Sequence, residues 1–574
     1  MDGFKAVLAT FVILLVGTAV SSAQTGSITG TVTDSAGAII QGAQVTVQNH
    51  GSNASRTVIT GGSGTYTLTE LPAGNYEITV KKASFKAFHV PSVEVSVAQS
   101  LSINAKLDPG ASTEEVTVRG DQVPNVDLET SQISNLVDHQ QMVDLPLITR
   151  DPYSLVLLSP GTSHTNTSLG GFTVNGARER NNNFLLDGAD NNDTSVPGIP
   201  DGVLNANPDS TEEFRVITDN FNAEFGRNTG AIIDVITKSG TNAFHGGAYW
   251  FGRYNGFGGA RDWFNPASQG PMNPYVRNQF GYSIGGPIIK SKTFFFFNEE
   301  FQRFRTTLTN SAIVPTAAFK TGVFTYNAPD GTSQTVDLNL GSAQNANQIP
   351  ADPTMQKILA LYPNPTVSSG DGFSGTLFYP SASKQDSYNT VAKIDHHFND
   401  RETLSLRYGY DHFVDPDPSH DDVLPGGIGA SSEKAIDEAA SANLTSVLRT
   451  NLVNNFIFGW NHIYSTFNCS GLNVLDSVSP VDQFGNGRDY LMDPFTSFAC
   501  TSLVSDGQYR KTGTVSYSDG LTWVRGAHTF KFGFDFRNVG RVGRTVFFLG
   551  GKLIPGRCSM VGRTFSMCRT IHCN

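Results

Sequence analysis

Four groups of residues in this 574-residue chain have types and spacings that could do chemistry. Gly281-Tyr-Ser283-Ile-Gly285 fits the G-x-S-x-G string of an acyl-transfer nucleophile. That serine needs a strand, a sharp turn and then a helix. Here the string lies inside a candidate strand, and Gly286-Pro287 follows it. His396-His397 suggests a metal pair, but neighbours in a strand point to opposite faces. Asp187, Asp190 and Asp193, in the run Asn181 to Asp193, suggest calcium. Their spacing of three does not match a D-x-D-x-D-G loop, so an Asx-turn loop is expected instead. Cys568-Arg-Thr-Ile-His572-Cys573 comes nearest to a zinc cluster, with no CxxC spacing upstream. No H-E-x-x-H or Walker A string occurs. The reading is therefore no enzyme: no catalytic residue, no cofactor and no metal.

The elements that would position a site are mostly strands. Phe530, Phe532, Phe534 and Phe536 alternate with Lys531, Gly533, Asp535 and Arg537. A period of two puts the aromatic face toward lipid and the charged face toward a lumen. The strand before it, about Thr514 to Val524, joins through a short turn at Arg525-Gly-Ala-His528. In a second hairpin Ala392, Ile394 and Phe398 share a face and the chain turns at Asn399-Asp400. Leu404, Leu406, Tyr408 and Tyr410 then face out, and Thr403, Ser405, Arg407 and Gly409 face the other way. Phe456, Phe458 and Trp460 alternate with Ile457, Gly459 and Asn461. Earlier strands are expected at 244–254, 279–287 and 293–303. Long polar stretches, Asn327 to Ser383 and Asp415 to Ser431, separate the hairpins. Short turns on one side and long loops on the other mark a transmembrane barrel. A soluble sandwich shares the alternation, so the rest of the chain must decide between them.

Composition narrows the field. The net charge of −11 leaves no basic surplus for phosphates, so no nucleic-acid partner is expected. A hydrophobic content of 39% is enough to build a core. Mean hydropathy is −0.20 and only the N-terminus carries a long apolar run, which excludes a helical membrane protein. In that run Lys5 precedes Ala6 to Val16, and Ser21-Ser-Ala23 offers a cleavage site. Residues 1–23 read as a signal peptide, with the mature chain starting at Gln24. In an oxidising compartment Cys469 and Cys500 could pair across a loop.

From Thr25 to Asp108 the pattern is of short strands, at 27–33, 43–48, 56–60, 65–69, 74–81 and 93–107, separated by Gly-rich turns. Gly30-Thr-Val-Thr-Asp34, Gly42-Ala-Gln-Val45, Gly64-Thr-Tyr66, Leu71-Pro-Ala-Gly-Asn-Tyr76 and Phe85-Lys86 resemble the carboxypeptidase-regulatory-like domain. The resemblance implies a carbohydrate-binding-like β-sandwich, not catalysis. Tyr66, Tyr76 and Phe85 could stack on a sugar, though core packing is the expected role.

A linker, 109–127, follows. Within it Val116-Thr-Val118 is β-prone, and such a segment can add to another protein's sheet edge. A plain linker or a last strand of the sandwich are its other readings. Beyond it, Leu145-Pro-Leu147, Arg150-Asp151, Leu158-Ser-Pro-Gly161, Phe172-Thr-Val-Asn175-Gly176 and Asn181-Asn-Asn-Phe-Leu-Leu-Asp187-Gly188 occur in order. Glu212-Glu213-Phe-Arg-Val216, Ala223-Glu224-Phe-Gly226 and Gly230 to Asn242, which includes Lys238-Ser239-Gly240, complete the series. This series resembles the plug of TonB-dependent outer-membrane receptors of the Oar-like branch.

The resemblance implies a mainly β protein: a sandwich (25–108), a mixed α/β plug (128–240) and an antiparallel transmembrane barrel (241–549). The family closes a 22-stranded barrel, whereas about a dozen strands can be placed here. From about Gly550 the alternation ends, and residues 550–574 are expected to be an aberrant, frameshifted tail on a C-terminally truncated barrel. In this light Glu114, Glu115, Val116, Thr117, Val118, Arg119 and Gly120 sit where the family carries its TonB box. The implied partners are TonB with its inner-membrane motor, outer-membrane lipid and a small ligand such as a siderophore, oligosaccharide, peptide or vitamin. The implied function is energy-coupled uptake across the outer membrane, with the N-terminal domain in the periplasm. The competing expectations are a carbohydrate-binding surface protein and a non-functional fragment of a longer transporter.

Overall fold

The computed structural model describes residues 25–111, 115–117, 131–147, 149–165, 171–194, 196, 202–226, 229–255, 274–328, 330–351, 353–370, 372–415, 431–469, 508–526 and 528–544. The signal peptide, Glu114, Val118 to Gly120, Cys500 and the 550–574 tail lie outside these residues.

The first unit is a two-sheet sandwich. Thr25–Asp34 pairs antiparallel with Thr65–Pro72 and parallel with Ser100–Ser102 and Ala105–Leu107. The facing sheet runs Ser55–Ile59, Gln44–Asn49, Gly74–Lys81, Ala87–Val95 and Glu115–Thr117. Alternating apolar residues from both sheets meet in a dry core that includes Ile28, Leu68, Ile78, Leu101 and Leu107. One expectation is corrected here and one is met. The single strand expected over 93–107 is three pieces, broken near Ala98, which adopts a left-handed φ of 51°. Tyr66 and Tyr76 are buried, with their hydroxyls donating to the carbonyls of Ile103 and Pro72, and Phe85 packs against the same core. None of the three offers a sugar-stacking platform.

The second unit is a small mixed sheet in the order Ile133–Asp138, Thr211–Asp219, Ile232–Thr237, Asn183–Leu186, Ala189–Asp190. Asn183–Leu186 runs parallel to Ile232–Thr237; the other pairs are antiparallel. One short helix, His139–Asp144, is capped by Asp138 in a capping box with Gln141. The Asx-turn loop expected over 181–193 is instead largely a hairpin. Asp187 and Gly188 both take positive φ, 47° and 68°, the geometry of a two-residue Asp-Gly turn. Apolar side chains of one face, among them Phe184, Phe214, Ile233 and Val235, form its own core.

The third unit is a curved wall of nine long strands, each antiparallel to the next in sequence. They are His245–Tyr254, Tyr275–Ile289, Thr293–Pro315, Ser374–Asn399, Glu402–Asp415, Ser431–Arg449, Leu452–Cys469, Gln508–Arg525 and His528–Arg544. The expected faces hold. Ile394, Phe398, Leu406, Tyr408, Phe530, Phe532 and Phe536 are exposed on the outside, whereas Ile457, Asn461 and Arg407 are buried inside. The stretch 327–383, expected to be loop, contains a hairpin (Val323–Asn327 with Ser333–Asp337), a helix (Pro353–Leu361) and the first part of a wall strand. That strand stays in register with Thr293–Pro315 over its whole length, Pro315 opposite Ser374. At about 3.4 Å per residue, the pair's far half stands beyond an apolar band of ~25 Å.

The wall has two distinct rims. Tight turns at 290–292, 400–401 and 450–451, with Gly526, mark one rim, and the opposite ends of the strands mark the other. The sandwich touches the tight-turn rim: Asn242 N–H donates to the Gly51 carbonyl at 2.9 Å, and Asn53 Nδ2 donates to Ser291 Oγ at 3.4 Å.

Candidate functional site

The mixed sheet lies inside the wall, and charged pairs join the two. Asp187, on the Asp-Gly turn, is buried and meets two cations of the wall. Lys393 Nζ lies 3.3 Å from its Oδ1 and Arg407 Nε lies 3.0 Å from its Oδ2. The Thr237 amide and hydroxyl also donate to the same carboxylate, at 3.0 and 2.7 Å. Burial alone would raise Asp187, but Lys393 and Arg407 outweigh it and hold the carboxyl below its ordinary range. The inward face of the wall supplies both cations because period-two alternation points Lys393 and Arg407 away from their lipid-facing neighbours Ile394 and Leu406.

Three further joints use the same chemistry. Asp190 meets Arg537 at 2.6 Å. Glu224 accepts from Lys531 Nζ at 2.9 Å. Arg150, held with φ of 55°, pairs with Asp209 and lies 3.8 Å from Glu300, which accepts from Tyr249. The Arg150 guanidinium also lies over the Phe251 ring at 3.8 Å. Beside it is an open pocket of about 330 Å³ whose lining includes Leu147, Arg150, Phe251, Arg253, Arg277 and Gln279.

The opposite face of the inner sheet meets the sandwich. Glu213 accepts from the Val97 amide, and burial lifts its carboxyl to about 7. Asp234, on the same face, is fully buried, and burial raises it well above its ordinary value, with Asp187 and Glu213 adding to the rise.

The expected structural residues are thus scattered over several roles. Asp187 and Gly188 form the turn and its latch; Glu213 reaches the sandwich; Glu224 reaches the wall. Asn175 and Gly176 form a second positive-φ turn, and Asn175 Nδ2 donates to the Thr218 carbonyl at 2.8 Å. Lys238, lowered by burial, approaches His139 at 3.1 Å, while Ser239 and Gly226 are exposed. Gly240 marks the passage from inner sheet to wall. A Cβ there would lie 2.2 Å from the Phe295 carbonyl oxygen, so only glycine fits. Of the expected coupling segment, Glu115–Thr117 forms the outermost strand of the sandwich, parallel to Ala87–His89.

The calcium, His396-His397 and nucleophile readings find no geometry, and the Cys568 to Cys573 cluster lies outside the described residues. Among the described residues no group of His, Cys, Asp and Glu could hold a metal ion. His396 and His397 accompany different partners, Thr293 and Thr403. Ser283 lies mid-strand in Tyr275–Ile289. Sequence reasoning placed Arg407 on the lumen face without naming its partner; it weighed Asp190 only as part of a calcium run, and it missed Lys393, Asp209 and Glu300. The available signal was a charge on an inward strand position, which demands a counter-ion.

A wall greasy outside and charged inside, holding a separately folded domain, has the layout of a plugged outer-membrane β-barrel, and among the described residues its first and last strands, His245–Tyr254 and His528–Arg544, do not pair, as expected of an incomplete barrel. Residues 236–548, more than half of the chain, match the family described as outer membrane beta barrel domain, and residues 27–108 match the carboxypeptidase regulatory-like domain. The chain belongs to the outer membrane beta barrel family, and its place is the outer membrane. It is similar to the TonB-dependent transporter Oar of Myxococcus xanthus, at 29% identity over 321 residues, 52% of this chain and 29% of that protein. Two solved structures also align. The outer membrane transporter YddB from Escherichia coli aligns at 11% identity and TM-score 0.44, over 72% of this chain and 53% of its own. A mutant of the ferric enterobactin receptor PfeA from Pseudomonas aeruginosa aligns at 10% identity and TM-score 0.41, over 70% and 48%. The match therefore spans under a third of Oar and about half of each structure.

Proposed function

We propose that the chain works as an energy-coupled outer-membrane receptor or transporter, in which TonB moves the plug so that a small ligand can pass. The observation that supports this best is the manner in which the inner domain is held. Its border with the wall is mainly polar, with ion pairs centred on Asp187 and amide hydrogen bonds such as Asn207 to Asn298, and only small apolar contacts such as Ala439 and Leu204. Charged joints of this kind can exchange partners with water once the domain shifts, whereas an apolar seam would have to expose its whole area. On this reading residues 25–108 are the periplasmic sandwich, 109–127 carry the TonB contact at 114–120, 128–240 are the plug, and 241–549 are barrel wall. The ligand is of siderophore, oligosaccharide or peptide type, and the protein makes and breaks no bonds.

The test is a photo-crosslinking residue at Val116 in cells expressing the full chain. An adduct with TonB that grows on addition of an uptake substrate, and falls when the proton gradient is collapsed, is expected. Absence of any adduct, in a chain recovered in the outer membrane with heat-modifiable mobility, overturns the proposal.

A further inference from the structure

Glu115–Thr117 is not loose in this structure. It is the outermost strand of the five-stranded sandwich sheet, with Ala87, Phe88 and His89 opposite Glu115, Val116 and Thr117. Just upstream the chain is fastened to the same sheet: Lys86 N–H donates to the Asp108 carbonyl at 2.8 Å and Gly110 N–H to the Ser84 carbonyl at 3.1 Å. A strand has two edges. One edge of Glu115–Thr117 is used by Ala87–His89, and among the described residues no strand pairs with the other.

We propose that the sandwich is part of the coupling interface. The partner's strand adds to the free edge of Glu115–Thr117, so one continuous sheet runs from the sandwich into the partner protein. This rests on the TonB reading above. An exposed strand edge is a ready template, since its outward amides and carbonyls are already aligned. The sandwich has also removed much of the chain entropy that a free linker would lose on becoming a strand. The domain is then a presenting platform rather than a spacer. The opposite arrangement, in which the sandwich hides the segment until it is released, predicts the reverse sign in the same experiment.

The experiment is a tether. His89→Cys and Thr117→Cys are introduced into the full chain with its five native cysteines replaced by serine. The two positions are neighbours in register, within reach of a disulfide. Affinity for a purified TonB C-terminal domain is measured oxidised and reduced. Binding of the oxidised form within threefold of the reduced form, or up to about tenfold tighter, is expected. Tenfold weaker binding on oxidation overturns the proposal, as does failure of the cysteines to bond. No binding by the unsubstituted chain overturns the TonB reading itself, a separate result. In that chain, hydrogen exchange at Ala87–His89 stays protected on partner binding if the platform holds, and rises if the segment is pulled away.

Discussion

The sandwich and the plug are neighbouring β-domains held by opposite means. The sandwich closes on an apolar core in which the hydroxyls of Tyr66 and Tyr76 are satisfied within the domain, and it reaches outward at few points, the Val97 amide to Glu213 and Glu70 to Thr522. The plug has its larger apolar core on one face and a smaller cluster of Leu185, Ile217, Phe225 and Ile232 on the other. Its other contacts bury Asp187, Asp190, Glu213 and Asp234 against neighbours, and two of these, Asp187 and Asp190, find their counter-charges on another unit. A domain with its satisfaction inside keeps its fold wherever it goes. A domain whose buried charges are satisfied by its surroundings is stable only in place.

Substitutions should therefore act on one unit and spare the other. The largest effect is expected from Asp187→Ala, which strands Lys393 and Arg407 in a buried site and loosens the plug by about 3–5 kcal/mol. Hydrogen exchange across Ile232–Thr237 reports it, and the sandwich's own melting transition should not move. Ile78→Ala should do the converse, lowering the sandwich transition by about 2–4 kcal/mol while plug exchange is unchanged. If either substitution moves both readouts equally, the contrast between the domains is wrong.

Titration sharpens the same contrast. The Glu213 carboxyl is raised from 4.5 to about 7, so its contribution is full below about pH 4.5 and is lost as pH rises through 7. Asp187 is depressed, so its contribution is present above 3.8 and lost as pH falls through the folded value. Acid should free the plug from the wall, and neutral pH should loosen it from the sandwich. Glu213→Gln should flatten the dependence between pH 5 and 8 and stabilise the joint by about 1–3 kcal/mol at pH 8, read from urea midpoints. The smallest effect is expected from Lys531→Met. The Lys531 side chain is 38% exposed but that of Glu224 is buried, so loss of the pair should change plug exchange by about 1–2 kcal/mol.

Much of the wall was legible because alternation is a local signal: Phe530 to Arg537 state their two faces within eight residues. The sandwich was legible from its turns, although the break near Ala98 was not, since Ala rarely takes positive φ. The Asp187-Gly188 turn carried a strong hairpin signal that the surrounding asparagines masked. The latch itself could not be read, because Asp187 and Lys393 lie 206 positions apart. Only the fold brings them together. The pairing of Glu115–Thr117 was foreseen as one of three readings, and no local feature of the segment selected it.

The order of strands in the plug has a mechanical consequence. Its last strand, Ile232–Thr237, is interior to the sheet and passes through Gly240 straight into the wall. Its first strand, Ile133–Asp138, is at the margin and leads back to the segment at 115–117. On the proposed coupling, a tug from the periplasm reaches the margin first, while the covalent mooring to the wall lies at the central strand. The sheet can be peeled strand by strand and still be reeled back into the same berth, because one end of the rope never leaves the barrel.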